Sequence, residues 1–104
     1  MISPKVKANK TIIYSKGDSF NLPVSRDEGF HDGTTLEIVI AEEERQDALI
    51  SKKFSMNSDG TFSVVLTSEI KKLDYGEYVY KLIFSLNNEV ITQHSGILEV
   101  RWSA

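Results

Sequence analysis

Apolar and polar residues alternate with a period of two along most of this chain. No segment sustains the 3.6-residue repeat of an amphipathic helix, so the pattern predicts an all-β domain. A first strand is expected over residues 6–14, polar at Lys7 and Lys10 and apolar at Ile12 and Ile13. Residues 15–18 read as a turn, where Gly17 is free to take positive φ. Phe20, Leu22 and Val24 then share one face. Pro23 has no N–H to give a ladder, so this strand is expected at a sheet edge or to end there. After a polar loop over residues 26–33, Leu36, Ile38 and Ile40 form an inner face with Glu37 opposite. Residues 42–47 are a solvated excursion ahead of a strand that carries Ile50, Phe54 and Met56.

Asn57-Ser58-Asp59-Gly60 is a hairpin signal, because Asp and Gly tolerate the left-handed geometry of a tight turn. It predicts that the strands on either side pair, with Phe62, Val64 and Leu66 on one face of the second. One short helical turn is expected near 68–73, capped by the hydroxyl of Thr67 or Ser68. Glu69 lies in its first turn and Lys71-Lys72 near its end. Ile70 and Leu73 would plug the end of the core. A strand over residues 77–86 turns Tyr78, Tyr80, Leu82, Phe84 and Leu86 to one side. Asn87-Asn88 reads as a two-residue hairpin turn. The last strand, residues 89–102, has Val90, Leu98, Val100 and Trp102 in phase, with Gly96 marking a bulge or a close backbone approach. About seven strands, with turn signals at roughly ten-residue intervals, predict an immunoglobulin-like antiparallel β-sandwich.

Composition narrows the possibilities. The 104 residues, 40% hydrophobic and 26% charged, make one domain over 1–104 that can bury a core without a metal or a cross-link. It reads as a whole small protein or as the first domain of a longer one. The chain has no cysteine, which excludes a disulfide framework, a zinc–thiolate site and a cysteine nucleophile together. Folding in a reducing cytoplasm fits that usage. Net charge is −3, and the basic runs Lys52-Lys53 and Lys71-Lys72 are too short to displace counterions from a duplex. Nucleic acid is therefore not an expected partner. No apolar run reaches the length of a membrane span, and Met1-Ile2-Ser3-Pro4-Lys5 lacks the hydrophobic core of a secretion signal.

The segment Asp74-Tyr75-Gly76-Glu77-Tyr78-Val79-Tyr80 has the outline of the corner that leads into strand F of an immunoglobulin-type domain. There a tyrosine ring fills the end of the core while its hydroxyl bonds a carbonyl a few residues upstream. Tyr78 takes that place, with its partner expected between Leu73 and Gly76. Tyr80 stands where antibody domains carry a cysteine, so packing replaces the cross-link. On the simpler reading both tyrosines are core-facing aromatics of a strand. Neither reading makes them catalytic.

These pieces, taken together, resemble the small N-terminal β-sandwich domains of phage and prophage baseplate proteins of Gram-positive bacteria, the upper-baseplate, receptor-binding-associated type. The shared outline is a basic opening strand, Lys-Gly-Asp-Ser-Phe (16–20), Gly-Thr-Thr-Leu-Glu-Ile (33–38) and Asp-Gly-Thr-Phe (59–62). It continues through Leu-Thr-Ser-Glu (66–69) and Gly-Glu-Tyr-Val-Tyr (76–80) to Ser-Gly-Ile-Leu-Glu-Val (95–100). The resemblance implies a structural or adaptor role in a virion, through contacts with itself or with other phage structural proteins. It carries over no enzymatic residues and no cofactor. It would also account for the missing disulfide, because virion parts fold in the cytoplasm before release. Bacterial surface immunoglobulin-like repeats share much of the outline, but usually with a secretion signal or in tandem arrays.

Candidate chemistry is sparse. His31 and His94, the only histidines, lack ligand spacing, and a metal site would need Asp27 or Asp32 alongside. The acids of the 26–33 loop lack the alternation of a calcium loop; a solvated loop with Phe30 tucked inward is the simpler reading. The acids at 42–44 read as a docking patch or as a solvated run. There is no nucleophile elbow and no phosphate loop before a helix, and no enzymatic activity is expected. The alternative to a structural domain is a carbohydrate-binding or surface-adhesion module. Trp102, Tyr75 and Tyr14 are the aromatics that would meet a sugar ring. Finally, strand parity turns Val39, Val65, Val79 and Ile83 outward, against Ile38, Val64, Tyr78 and Leu82. Four branched apolar residues facing solvent predict a covered contact surface, or simply reflect the preference of such residues for strands.

Overall fold

The structure, a computed structural model, describes residues 5–6, 11–16, 18–26, 29–43 and 47–101, the first pair by backbone alone. Strand accounts for 58% of the described residues and helix for 5%, which makes the class all-β. In chain order the elements are β1 (Lys5–Val6), β2 (Ile12–Ser15), β3 (Asn21–Val24), β4 (Thr35–Ala41) and β5 (Ile50–Ser55). They continue with β6 (Phe62–Val65), α1 (Thr67–Ile70), β7 (Gly76–Leu86) and β8 (Glu89–Arg101).

Two sheets share one core. The larger runs β1-β2-β8-β7-β4-β5 and the smaller pairs β3 with β6. Leu36, Ile38 and Ile40 of β4 are fully buried, as are Phe62 and Val64 of β6, and Tyr14, Phe20, Leu98 and Val100 join them. Period-two alternation thus assigns the inner faces as expected. Pro23 sits opposite Ser63 in a sheet with no further strand among the described residues, the edge position its missing N–H demands.

Four expectations need correction. The first strand is two: β1 pairs antiparallel with β2, and β2 lies parallel to β8, with Ile12 opposite Leu98 and Tyr14 opposite Val100. The large sheet is therefore mixed. Alternation dictates which face a strand buries, not the direction of its neighbour. Lys7, Lys10 and Gly17 lie outside the described residues. Second, β5 and β6 do not pair. β5 takes β4 as its neighbour and β6 takes β3, so the turn at 57–60 crosses from one sheet to the other. It is still tight: the Gly60 N–H donates to Asn57 O (3.0 Å), and Asn57 N–H to Thr61 O (2.7 Å). Both flanking apolar faces reach the core, from opposite sides.

Third, neither hydroxyl caps α1; Leu66 occupies the N-cap without a side-chain bond. The Thr67 hydroxyl instead accepts the Phe20 N–H at 3.2 Å, which ties the helical turn to β3. Ile70 and Leu73 are buried below it. Fourth, Gly96 marks no bulge: it lies in continuous register opposite Tyr80, and the irregularity comes earlier in the strand. Phe84 pairs with Thr92 and Ser85 with Val90, leaving Ile91 as the extra residue of a bulge. Beyond it the parity of β8 reverses, so Val90 leaves the phase of Leu98 and Val100 and is 61% exposed. The β7–β8 turn is as expected: Asn87 and Asn88 have φ of 54° and 66°, the primed turn that matches strand twist.

Candidate functional site

The Asp74–Tyr80 segment forms a corner at one end of the core. Gly76 opens β7 with φ of 145°, a backbone state that side chains rarely adopt. Two residues on, the Tyr78 hydroxyl donates to Asp74 O at 2.9 Å, a carbonyl inside the interval expected from sequence. Tyr78 is 8% exposed and Tyr80 4%. Burial raises the titration of both phenols above the ordinary value; for Tyr78 the nearby Asp74 charge adds to it, against the opposing backbone bond. Tyr14 makes a second bond of this kind, its hydroxyl donating to Asp18 O at 2.7 Å.

The four outward valine and isoleucine positions divide between two surfaces. Val39, Val79 and Ile83 lie half-buried on the outer face of the large sheet, whereas Val65 is exposed on the small one. The register builds the large face in rows. Ile97, Val79 and Ala41 stand side by side; the next row is Ser95, Lys81, Val39 and Ser51; the next is Gln93, Ile83, Glu37 and Lys53. Ile97, 43% exposed, joins the apolar row although sequence reading passed over it. Its alternation against Leu98 was the available signal. Lys81 separates Val79 from Ile83, so the apolar part of this face centres on Ile97, Val79, Ala41 and Val39.

A second surface feature was not legible in the sequence. The small sheet is short, ending at the Val24–Phe62 pair, while β7 and β8 run on toward their hairpin. By parity Leu82 and His94, a directly opposed pair, belong to the inner side, yet one is half-buried and the other exposed. A cleft of about 650 Å³ opens there, between the β3–β4 connection and the β7–β8 ribbon. Phe30 is tucked inward as expected, stacked on Phe84 (centroids 5.1 Å, planes 16° apart) and edge-on to Phe62. The Arg26 guanidinium lies over its ring at 5.9 Å. His31 and His94, far apart in the chain, both border this cleft.

The remaining candidates are scattered. Asp32 is exposed on a turn, Asp27 lies outside the described residues, and no group of three metal-ligating side chains occurs among the described ones. Glu42 and Glu43 are exposed; Glu44 is outside the description. Of the aromatics proposed to meet a sugar, Tyr14 is fully buried, Tyr75 is 42% exposed with the Lys16 ammonium 5.0 Å from its ring centre, and Trp102 is outside the described residues. Asp59 is held below the usual carboxylate range by Thr61, and Glu69 by its bond to Lys52 at 3.0 Å. No helix among the described residues is long and apolar enough to cross a membrane. Family models, curated protein sequences and solved structures give no match to this chain.

Proposed function

We propose that this chain is a non-enzymatic immunoglobulin-like β-sandwich that works through protein–protein contacts, as a structural part of a phage or prophage tail or baseplate. Three features support the fold reading. The large sheet places its last two strands beside β4 and β5, as strands G and F lie beside C and C′ in variable-type immunoglobulin domains. β3 and β6 then correspond to B and E. The Tyr78–Asp74 bond has the placement of the corner that leads into strand F. Sequence motifs from 16–20 to 95–100 support the phage assignment.

The observation that carries the contact role is the apolar row Ile97–Val79–Ala41 with Val39 beside it. Apolar side chains grouped on a nominal solvent face favour a covered surface over chance exposure. Asp59, Glu69, Tyr78 and Tyr80 titrate away from neutrality, opposite to the tuning that acid–base catalysis needs. Light scattering over a concentration series tests the self-association form of this reading. The expected result is a mass that rises with concentration for the parent protein and falls to monomer for Val79→Lys, with Ile83→Lys weaker because its row already carries Gln93, Glu37 and Lys53. A monomer throughout for all three, with no tail component recovered from the encoding phage, would overturn the role. Neighbouring genes for tail and lysis proteins support the phage setting, and cell-wall genes count against it.

A further inference from the structure

We infer that the open edge of β8 ahead of Leu98 accepts an extended strand donated by another protein, one with apolar side chains at alternate positions. β2 lies beside β8 only from Leu98 to Arg101, and no described strand continues that lane toward Glu89. One bond gives the direction of the backbone groups. The Lys16 N–H donates to Arg101 O at 2.9 Å, so the Arg101 carbonyl points away from β7. Successive residues of a strand aim their N–H and C=O groups to opposite sides, and the register with β7 is unbroken from Val100 to Thr92. Ser95 and Gln93 therefore also aim theirs away from β7, and both residues are exposed. Open backbone groups along a strand edge are a template for a further strand.

Two other edges are blunted where this one is not. β3 carries Pro23 and β5 carries Lys52 and Lys53, residues that discourage edge pairing. Residues 90–97, Val-Ile-Thr-Gln-His-Ser-Gly-Ile, hold no proline and no Asp, Glu, Lys or Arg. Val90, Ile91 and Ile97 are exposed large apolar side chains in that run. The bulge at Ile91 bends the edge but leaves Gln93 and Ser95 open. An added strand sets alternate side chains on the inner side, beside Thr92 and His94, at the lip of the cleft that Leu82 and Phe84 line; apolar side chains suit that position. A second β8 does not fit. The two-fold pairing that bonds Gln93 of each copy to Ser95 of the other sets Val90 opposite Leu98, in the lane that Ile12 already fills. A strand from another protein that stops short of β2 meets no such obstruction. This surface adds to the contact role proposed above without using the outer row Ile97–Val79–Ala41, so either can fail alone.

The probe is the synthetic peptide acetyl-Lys-Thr-Ile-Thr-Ile-Thr-Ile-Thr-Lys-amide, followed by NMR and amide hydrogen exchange. The expected result is saturable one-to-one binding that slows exchange of the Gln93 and Ser95 amides. Peptides N-methylated at all threonines or at all isoleucines separate backbone pairing from apolar adhesion: one set should abolish binding and the other spare it. Ser95→Pro removes an edge donor and keeps the bonds to β7. It should weaken binding about tenfold or more, the scale of one lost hydrogen bond, with the thermal midpoint measured to confirm folding. No saturable binding, an equal response to the two methylated peptides, or protection at Ser51 and Lys53 of the β5 edge instead would each overturn the assignment. So would an oligomer of the protein alone that Ser95→Pro, but not Val79→Lys, reduces to monomer, because a second copy would then fill the edge.

Discussion

Replacing Tyr78 by phenylalanine removes one oxygen atom and leaves a ring that is 8% exposed. The lost interaction is the 2.9 Å bond from its hydroxyl to Asp74 O. A hydrogen bond of this kind contributes about 0.5–1.5 kcal/mol net. Asp74 is exposed, so water can reach the orphaned carbonyl, and the middle of that range, about 1 kcal/mol, is the expected loss. For a domain of this size about 1 kcal/mol lowers the thermal midpoint by about 4–8 °C. Two companions separate the hydroxyl from the ring. Tyr78→Ala also opens a cavity at the end of the core and should cost about 3–5 kcal/mol, as for other large aromatics. Tyr75→Phe alters an exposed ring and should stay within about 0.5 kcal/mol of the parent. Urea denaturation followed by far-ultraviolet circular dichroism reads all three. If Tyr78→Phe is indistinguishable from Tyr75→Phe, the bond does not stabilise the corner and the argument built on it is wrong.

Two further outcomes follow from the same coordinates. Because burial raises the titration of Tyr78 and Tyr80, their contribution is complete below the ordinary phenol value of about 10 and is lost as pH rises through the higher folded-state values. Unfolding free energy should therefore hold level from neutrality up to that value and decline above it, with a shallower decline in Tyr80→Phe; a level profile in strong alkali would refute the assignment. Asn88, at φ of 66°, should tolerate glycine, whereas Asn88→Val forces a β-branched residue into left-handed backbone and should cost about 1–2 kcal/mol in chemical denaturation; an unchanged midpoint would mean the hairpin had adopted another turn.

Much of the fold is legible in the alternation. Leu36, Ile38 and Ile40, then Phe62, Val64 and Leu66, then Tyr78, Tyr80 and Phe84 all face inward as their spacing demands, because successive Cβ atoms on a strand point to opposite sides. The Asn87-Asn88 turn, the edge placement of Pro23 and the Tyr78–Asp74 bond likewise depend on residues close together in the chain. The candidate contact face was legible only in part. Parity put Val39, Val79 and Ile83 outward, but it could not say that Val65 belongs to the other sheet, nor bring Ile97 beside Val79.

What the sequence determined by itself, then, is the all-β class, the inward set of each strand and the chemistry of its tight turns, since these are properties of a few consecutive residues. Tertiary structure decided everything that depends on which distant segments become neighbours. The parallel pairing of β2 with β8, the crossing at 57–60 and the bulge at Ile91 all preserve the local alternation, so no local pattern distinguishes them from their alternatives. The cleft is the clearest case. Arg26, His31 and His94 meet because a short sheet covers a longer one incompletely, and that mismatch exists only once both sheets have formed.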